Sequence, residues 1–133
     1  MTDPVAAIIE GAICNPDNPR HFMRLKPVSR LVTVSRGGTV LARTQNALRL
    51  LEVGRDLYDP LLYIPKTDIV GALEEAPVTK THCPLKGEAT YWRAAGEEAA
   101  LAWSYETPFA FAAALAGRIA FDPAHVTVCE GGA

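Results

Sequence analysis

Residues 30–43, RLVTVSRGGTVLAR, decide the class of the fold. Two β-branched runs, 30–36 and 39–43, flank Gly37-Gly38, and paired glycines supply the positive φ angles that a tight hairpin turn demands. With the turn confined to the two glycines, Val34 faces Leu41 and Val32 faces Arg43, which sets an apolar pair beside the turn. The chain further on reads in the same way. Residues 61–65 (LLYIP) form a strand ended by proline, 88–94 (EATYWRA) and 98–105 (EAALAWSY) pair about a turn at Ala95-Gly96, and 118–121 (RIAF) and 125–128 (HVTV) finish as strands around Asp122-Pro123. Two short helices interrupt them. Thr67 or Asp68 caps one over KTDIVGALEE, and the other runs from Thr107-Pro108 to Gly117, with proline inside the start and glycine past the end. Residues 44–53, TQNALRLLEV, suit a helix through Leu48 and Leu51 and a strand through Leu48 and Leu50, and are left open between the two. Residues 1–29 carry Pro4, Pro16, Pro19 and Pro27 with little periodicity and read as an extended N-terminal arm, with one short helical turn over Val5 to Ala12. Residues 30–133 then make a single β-rich domain. It is mainly β (α+β), with no strand–helix–strand repeat to support a parallel Rossmann-like sheet.

The totals agree with one soluble globular domain. At 133 residues, 49% hydrophobic and 21% charged, the chain buries roughly two-thirds of the surface its unfolded form exposes. Its longest apolar stretch, residues 108–117, is about half the length of a membrane-spanning helix. Glu10 breaks the apolar run of an N-terminus that lacks a basic start, so no secretory signal is read and a cytoplasmic location is expected. Cys14, Cys83 and Cys129 are odd in number and show no C-x-x-C spacing, which argues against a disulfide framework and against a thiolate zinc knuckle. From Arg20 to Arg55 there are eight Lys or Arg residues against one acid, Glu52, although the net charge is −2. These cations are spread singly among strand positions without interleaved aromatics. A solvated face is expected there rather than a nucleic-acid surface.

The polar chemistry gathers in residues 79–94, TKTHCPLKGEATYWRA. In Cys83-Pro84-Leu85-Lys86-Gly87 proline presets one turn dihedral and glycine releases the chain, so 83–87 is a tight turn between strands. Pro84 and Gly87 need no further explanation; Cys83 and Lys86 do. A cation near a thiol favours the thiolate, and a lysine on a rigid turn is a ready anion hook. Other chemistries fall away. Ser104 lacks a G-x-S-x-G setting, no G-x-x-x-x-G-K phosphate loop exists, and a metal site from His82, His125, Cys83 and Cys129 would need two separate loops to converge. No metal is expected.

Tyr63-x-Pro65-x-x-Asp68, Thr81-x-Cys83-Pro84-x-Lys86-Gly87-x-Ala89-x-Tyr91-Trp92, Ala102-Trp103-Ser104-Tyr105-x-x-Pro108 and Ala120-Phe121 occur in this order between about Leu31 and Phe121. Together they resemble the small bacterial family catalogued as domain of unknown function 427. The resemblance implies a compact, tent-like curved antiparallel sheet folded over on itself, and no established activity. Some catalogues give the family a nucleotidyltransferase-like label, but this chain has neither a D-x-D pair for magnesium nor a Gly-Ser phosphate turn. The last dozen residues, DPAHVTVCEGGA, depart from the family's usual aromatic, acidic tail. Carried over, the motif positions are Tyr63, Asp68, Thr81, Cys83, Lys86, Tyr91, Trp103 and Tyr105. Trp103 and Tyr105 alternate by two and share a face; whether Tyr91 or Trp92 joins them depends on hairpin register.

An aromatic floor edged by Lys86, Cys83 and Asp68 suits a small, flat, anionic or aromatic ligand. Two other readings stand beside that one: an enzyme with Cys83 as nucleophile or redox thiol in the same pocket, and an interaction module presenting the basic hairpin around Arg30, Arg36 and Arg43. Ligand, cofactor and oligomeric state are not fixed by these residues.

Overall fold

The computed structural model describes residues 9–131. Its strands are β1 (Ile13–Asn15), β2 (Asn18–Val28), β3 (Val32–Arg36), β4 (Thr39–Thr44), β5 (Ala47–Val53), β6 (Leu61–Pro65), β7 (Leu73–Glu75), β8 (Thr81–Cys83), β9 (Gly87–Ala94), β10 (Ala100–Ser104), β11 (Arg118–Phe121) and β12 (Thr127–Glu130), with short 3-10 segments at Lys66–Asp68 and Ala110–Leu115. Nine strands make one antiparallel sheet in the order β1-β2-β5-β6-β11-β10-β9-β7, with β8 also paired to β9; β12-β3-β4 form a second sheet. The mainly β class therefore holds. Among the described residues no helix is long and apolar enough to cross a membrane.

Period-two alternation sorts the side chains of the large sheet into two cores. Ile64, Ala102, Ile119 and Phe121 pack on one face with Val32, Val34, Leu41 and Ala42 of the small sheet. Met23, Leu25, Leu50, Tyr63, Ala89 and Ala120 pack on the other face with Leu85, Ala112 and Leu115. The sheet is also curled. Four ladder steps separate β5 from β9, about 19 Å in a flat sheet. Yet Lys86 Nζ, in the turn that opens β9, lies 2.5 Å from Glu52 Oε1 on β5. Only a sheet bent back towards itself brings those strands that close.

Several local expectations change. In the β3–β4 hairpin Ser35 faces Val40 but Val34 faces Ala42, so a bulge at Leu41 displaces the expected Val34–Leu41 pair and sets Val32 opposite Thr44 rather than Arg43. The extra residue lets Leu41 and Ala42 both bury. The bulge also explains why no helix continues past Asp68. The backbone N–H groups of Val70 and Gly71 both donate to Leu41 O, at 2.8 and 3.0 Å, and are lost to any helical ladder. Gly71 packs closely there: a Cβ would stand 2.6 Å from Leu41 Cδ2 and 3.1 Å from Leu41 Cα, so any larger residue would push Leu41 aside.

The helix drawn from Thr107 to Gly117 is a 3-10 segment from Ala110 to Leu115, without a side-chain cap and kinked at Ala112. Six residues are too few for a cooperative α-helix, and the kink buries Ala112 and Leu115 against the sheet. The open segment 44–53 is strand β5. Residues 125–128 become β12, shifted to Thr127–Glu130 and paired to β3 rather than to β11. The stretch before Arg30 is extended, but it is paired: β2 runs along β5 from Phe22–Val53 to Val28–Ala47, so the large sheet begins before the boundary drawn at residue 30. The helical turn read over Val5 to Ala12 lies mostly outside the described residues.

Candidate functional site

The 83–87 turn is built from inside. Leu85 is fully buried in the core of the large sheet and anchors the loop, while Lys86 N donates to Cys83 O at 3.3 Å to close it. Gly87 follows at φ +120°, with Thr107 O only 3.3 Å from where a Cβ would be. Two constraints, a positive φ and a close backbone, require glycine. With Leu85 pointing inward, the flanking Cys83 and Lys86 are turned to the side of β9 that faces β2 and β5.

There a solvent-open cavity of about 470 Å³ is lined by Tyr63, Cys83, Lys86, Tyr91, Trp103 and Tyr105, together with His21, Glu52, Tyr58, Leu61, His82 and Pro84. Register decides the aromatic question: Trp103 pairs with Tyr91 and Ala102 with Trp92, and directly opposed residues share a face. Tyr91 therefore joins the cavity. Trp92 turns to the other face, where its Nε1 donates to Ser104 Oγ at 2.9 Å, Ser104 donates to Glu106, and Lys66 pairs with Glu106 at 2.5 Å. Desolvation would raise the Glu106 carboxyl, but hydrogen bonds from Lys66 and Ser104 and the charges of Lys66 and Lys80 outweigh it and hold it below the usual range.

The cavity floor is charged and internally balanced. Glu52 accepts from Lys86 Nζ through Oε1 at 2.5 Å and contacts His21 Nε2 through Oε2 at 2.8 Å. The side chains of Lys86 and Glu52 are only 6% and 12% exposed, so each is the other's principal compensation for lost hydration. The ammonium also lies 3.7 Å from Cys83 Sγ and 5.8 Å from the centroid of Tyr105, which leaves little of its donor capacity for an incoming anion. Lys86 is thus a counter-ion first. Above it Trp103 Nε1 donates to Tyr63 Oη at 3.1 Å. Burial, aided by the charge of Glu52, pushes the Tyr63 hydroxyl above the usual phenol range despite that bond. Burial, with Tyr63 as neighbour, does the same to Tyr105. Both phenols stay neutral through the physiological range and offer a donor as well as an acceptor.

Two of the eight sequence-derived positions lie outside the lining. Asp68 accepts from Thr44 Oγ1 at 2.6 Å, and the same oxygen receives Asn46 N at 2.9 Å; it braces the β4–β5 connection. Thr81 Oγ1 hydrogen bonds Tyr91 Oη at 2.7 Å and steadies that ring from beside the cavity. Conversely, His21 and Glu52 escaped the sequence reading. A signal existed: His21, Met23 and Leu25 on β2, and Leu48, Leu50 and Glu52 on β5, each follow period two, so extending either apolar stripe by one step reaches the polar residue.

A family model described as domain of unknown function (DUF427), with the label NTP_transf_9, matches residues 24–132. The match takes in β12 and the tail that departs from the motif pattern, and it begins just after His21. No curated protein matches the chain. Among the described residues that line the cavity Glu52 is the one carboxylate, and it is paired to Lys86. The two-carboxylate magnesium clamp that the label's nucleotidyl transfer calls for is not assembled there.

Proposed function

The chain belongs to the DUF427 family, and from that premise we propose that it is a small-molecule-binding β-domain whose ligand lies in the cavity over the Glu52–Lys86 pair. The observation that carries the reading is the convergence of Tyr58, Tyr63, Tyr91, Trp103 and Tyr105 on one solvent-open space of about 470 Å³, within the range of small-molecule sites. Rings at its walls favour a planar guest, and the neutral phenols favour hydrogen-bonding groups on its edge. Because Glu52 already balances Lys86, a neutral planar heteroaromatic compound fits better than a strong anion, which would have to displace the carboxylate first. Arg36, central to the basic-hairpin reading, is engaged by Glu97 at 2.7 Å and by His125 O at 2.8 Å, which weakens that rival. Three unpaired cysteines suit a reducing, cytoplasmic setting.

A thermal-shift panel of planar heteroaromatic metabolites tests this reading. A genuine ligand at a hundredfold excess over Kd adds about 2.7 kcal/mol to the wild type, and Tyr91→Ala, which removes one wall, reduces that gain by more than half. A panel that shifts neither protein, or both equally, removes the proposal.

One distance supports a second reading. With its ammonium 3.7 Å from Cys83 Sγ, Lys86 can balance charge that develops on sulfur, as a thiol-dependent enzyme needs. On this reading Cys83 alkylates at least tenfold faster than a model thiol at pH 7, measured by mass spectrometry site by site. A rate at or below that of the model thiol removes the nucleophile.

A further inference from the structure

We infer that His21, Glu52 and Cys83 form a latent three-donor site for a thiophilic divalent metal such as zinc, which in the free protein is held closed by the Lys86 ammonium. One imidazole nitrogen, one carboxylate oxygen and one sulfur lie within 4.8 Å of one another, all three residues half-buried. They come from β2, β5 and the end of β8, so the set exists only because the sheet curls. Only Cys83 belongs to the group of cysteines and histidines that the sequence offered.

Three protein donors with a fourth position facing an open cavity follow the arrangement of catalytic rather than structural zinc. Bond lengths of about 2.0–2.3 Å put tetrahedral donors about 3.3–3.8 Å apart, so the set must contract by about 1 Å, which side-chain rotation can deliver. Lys86 stands where the metal would act: its ammonium lies between the Glu52 carboxylate and the Cys83 sulfur. Metal entry exchanges a monovalent bridge for a divalent one, the Cys83 thiol releases its proton to solvent as sulfur binds, and the lysine swings towards the cavity.

The site shares its cavity with the proposed ligand but does not depend on that ligand. Cobalt(II) titration without any organic compound reads the metal alone, and repeating the metabolite panel in chelator reads the ligand alone. In a Cys14→Ser, Cys129→Ser background, cobalt is expected to give a thiolate-to-metal charge-transfer band and the intense visible bands of four-coordination, both displaced by zinc. Cys83→Ser abolishes the charge-transfer band, and His21→Ala weakens binding at least tenfold. Lys86→Met, which removes the competitor, tightens binding at least tenfold and recovers thermal stability on adding zinc. Absence of a charge-transfer band in both the background protein and its Lys86→Met form overturns the proposal, as does a band that survives Cys83→Ser. Unchanged affinity in Lys86→Met overturns the closed-by-lysine part even if the band appears.

Discussion

Replacing Lys86 with methionine lowers the free energy of unfolding by about 3–5 kcal/mol, because Glu52 stays in the cavity floor as a buried charge without its principal partner. Against a total of about 5–15 kcal/mol for a domain of this kind, that is a large share. The pair itself is worth far less than this loss: two charges taken from water recover in mutual attraction about what their desolvation costs. Hence the double variant Lys86→Met, Glu52→Leu regains most of the stability, and urea midpoints of the wild type, both single variants and the double variant form the cycle that measures it. A loss below about 1 kcal/mol for Lys86→Met would place the pair in solvent, like an ordinary surface ion pair.

Leu85→Ala costs about 2–5 kcal/mol, the second-largest effect. Leu85 is the side chain that fastens the Cys83–Gly87 turn to the core, so truncation leaves a void and frees the loop together. Two readouts separate this from a loss that only weakens the core. The urea midpoint falls, and Cys83 alkylates faster in the variant under native conditions because its loop opens locally. Val70, 62% exposed, gives the contrasting control: Val70→Ala stays within about 0.5 kcal/mol. Equal alkylation rates in wild type and Leu85→Ala would mean that the turn is held by its own backbone rather than by this anchor.

The sequence shows the sheet and hides its closure. Gly37-Gly38, LLYIP, RIAF and the two strands around Ala95-Gly96 carry local turn chemistry and β-branched runs, and each becomes a strand within one or two residues. The family match carries Tyr63, Cys83, Lys86, Tyr91, Trp103 and Tyr105, all of which line one cavity. What failed depended on partners remote in the chain. The register of the first hairpin turns on the bulge at Leu41, which exists because residues 70 and 71 dock there. The prolines that make residues 1–29 read as an extended arm do not show how part of it pairs. Pro27 pairs with Leu48 on the β5 side, while β1 reaches along β2 only as far as Met23, so Pro27 lies where one side of β2 has no paired strand, a position that tolerates proline. With that stretch set apart as an arm, His21 was lost to the site. With residues 44–53 undecided between helix and strand, so was Glu52. Both belong to the charged cluster that gives Lys86 its role, and a lysine read from its turn alone is a free hook instead of a counter-ion.

The curled sheet makes one cavity with aromatic walls over a balanced ion pair, and the proposed ligand lies in it. Amide and indole NMR spectra of the isotope-labelled protein, titrated with planar heteroaromatic compounds, locate that ligand, because Trp103 and Trp92 lie on opposite faces and report independently. The expected result is a saturable shift of the Trp103 indole signal together with the amides of Cys83, Lys86 and Tyr105, while the Trp92 indole and the β3–β4 hairpin stay still. Shifts confined to Trp92 and the hairpin, or no saturable shift with any compound, would contradict it.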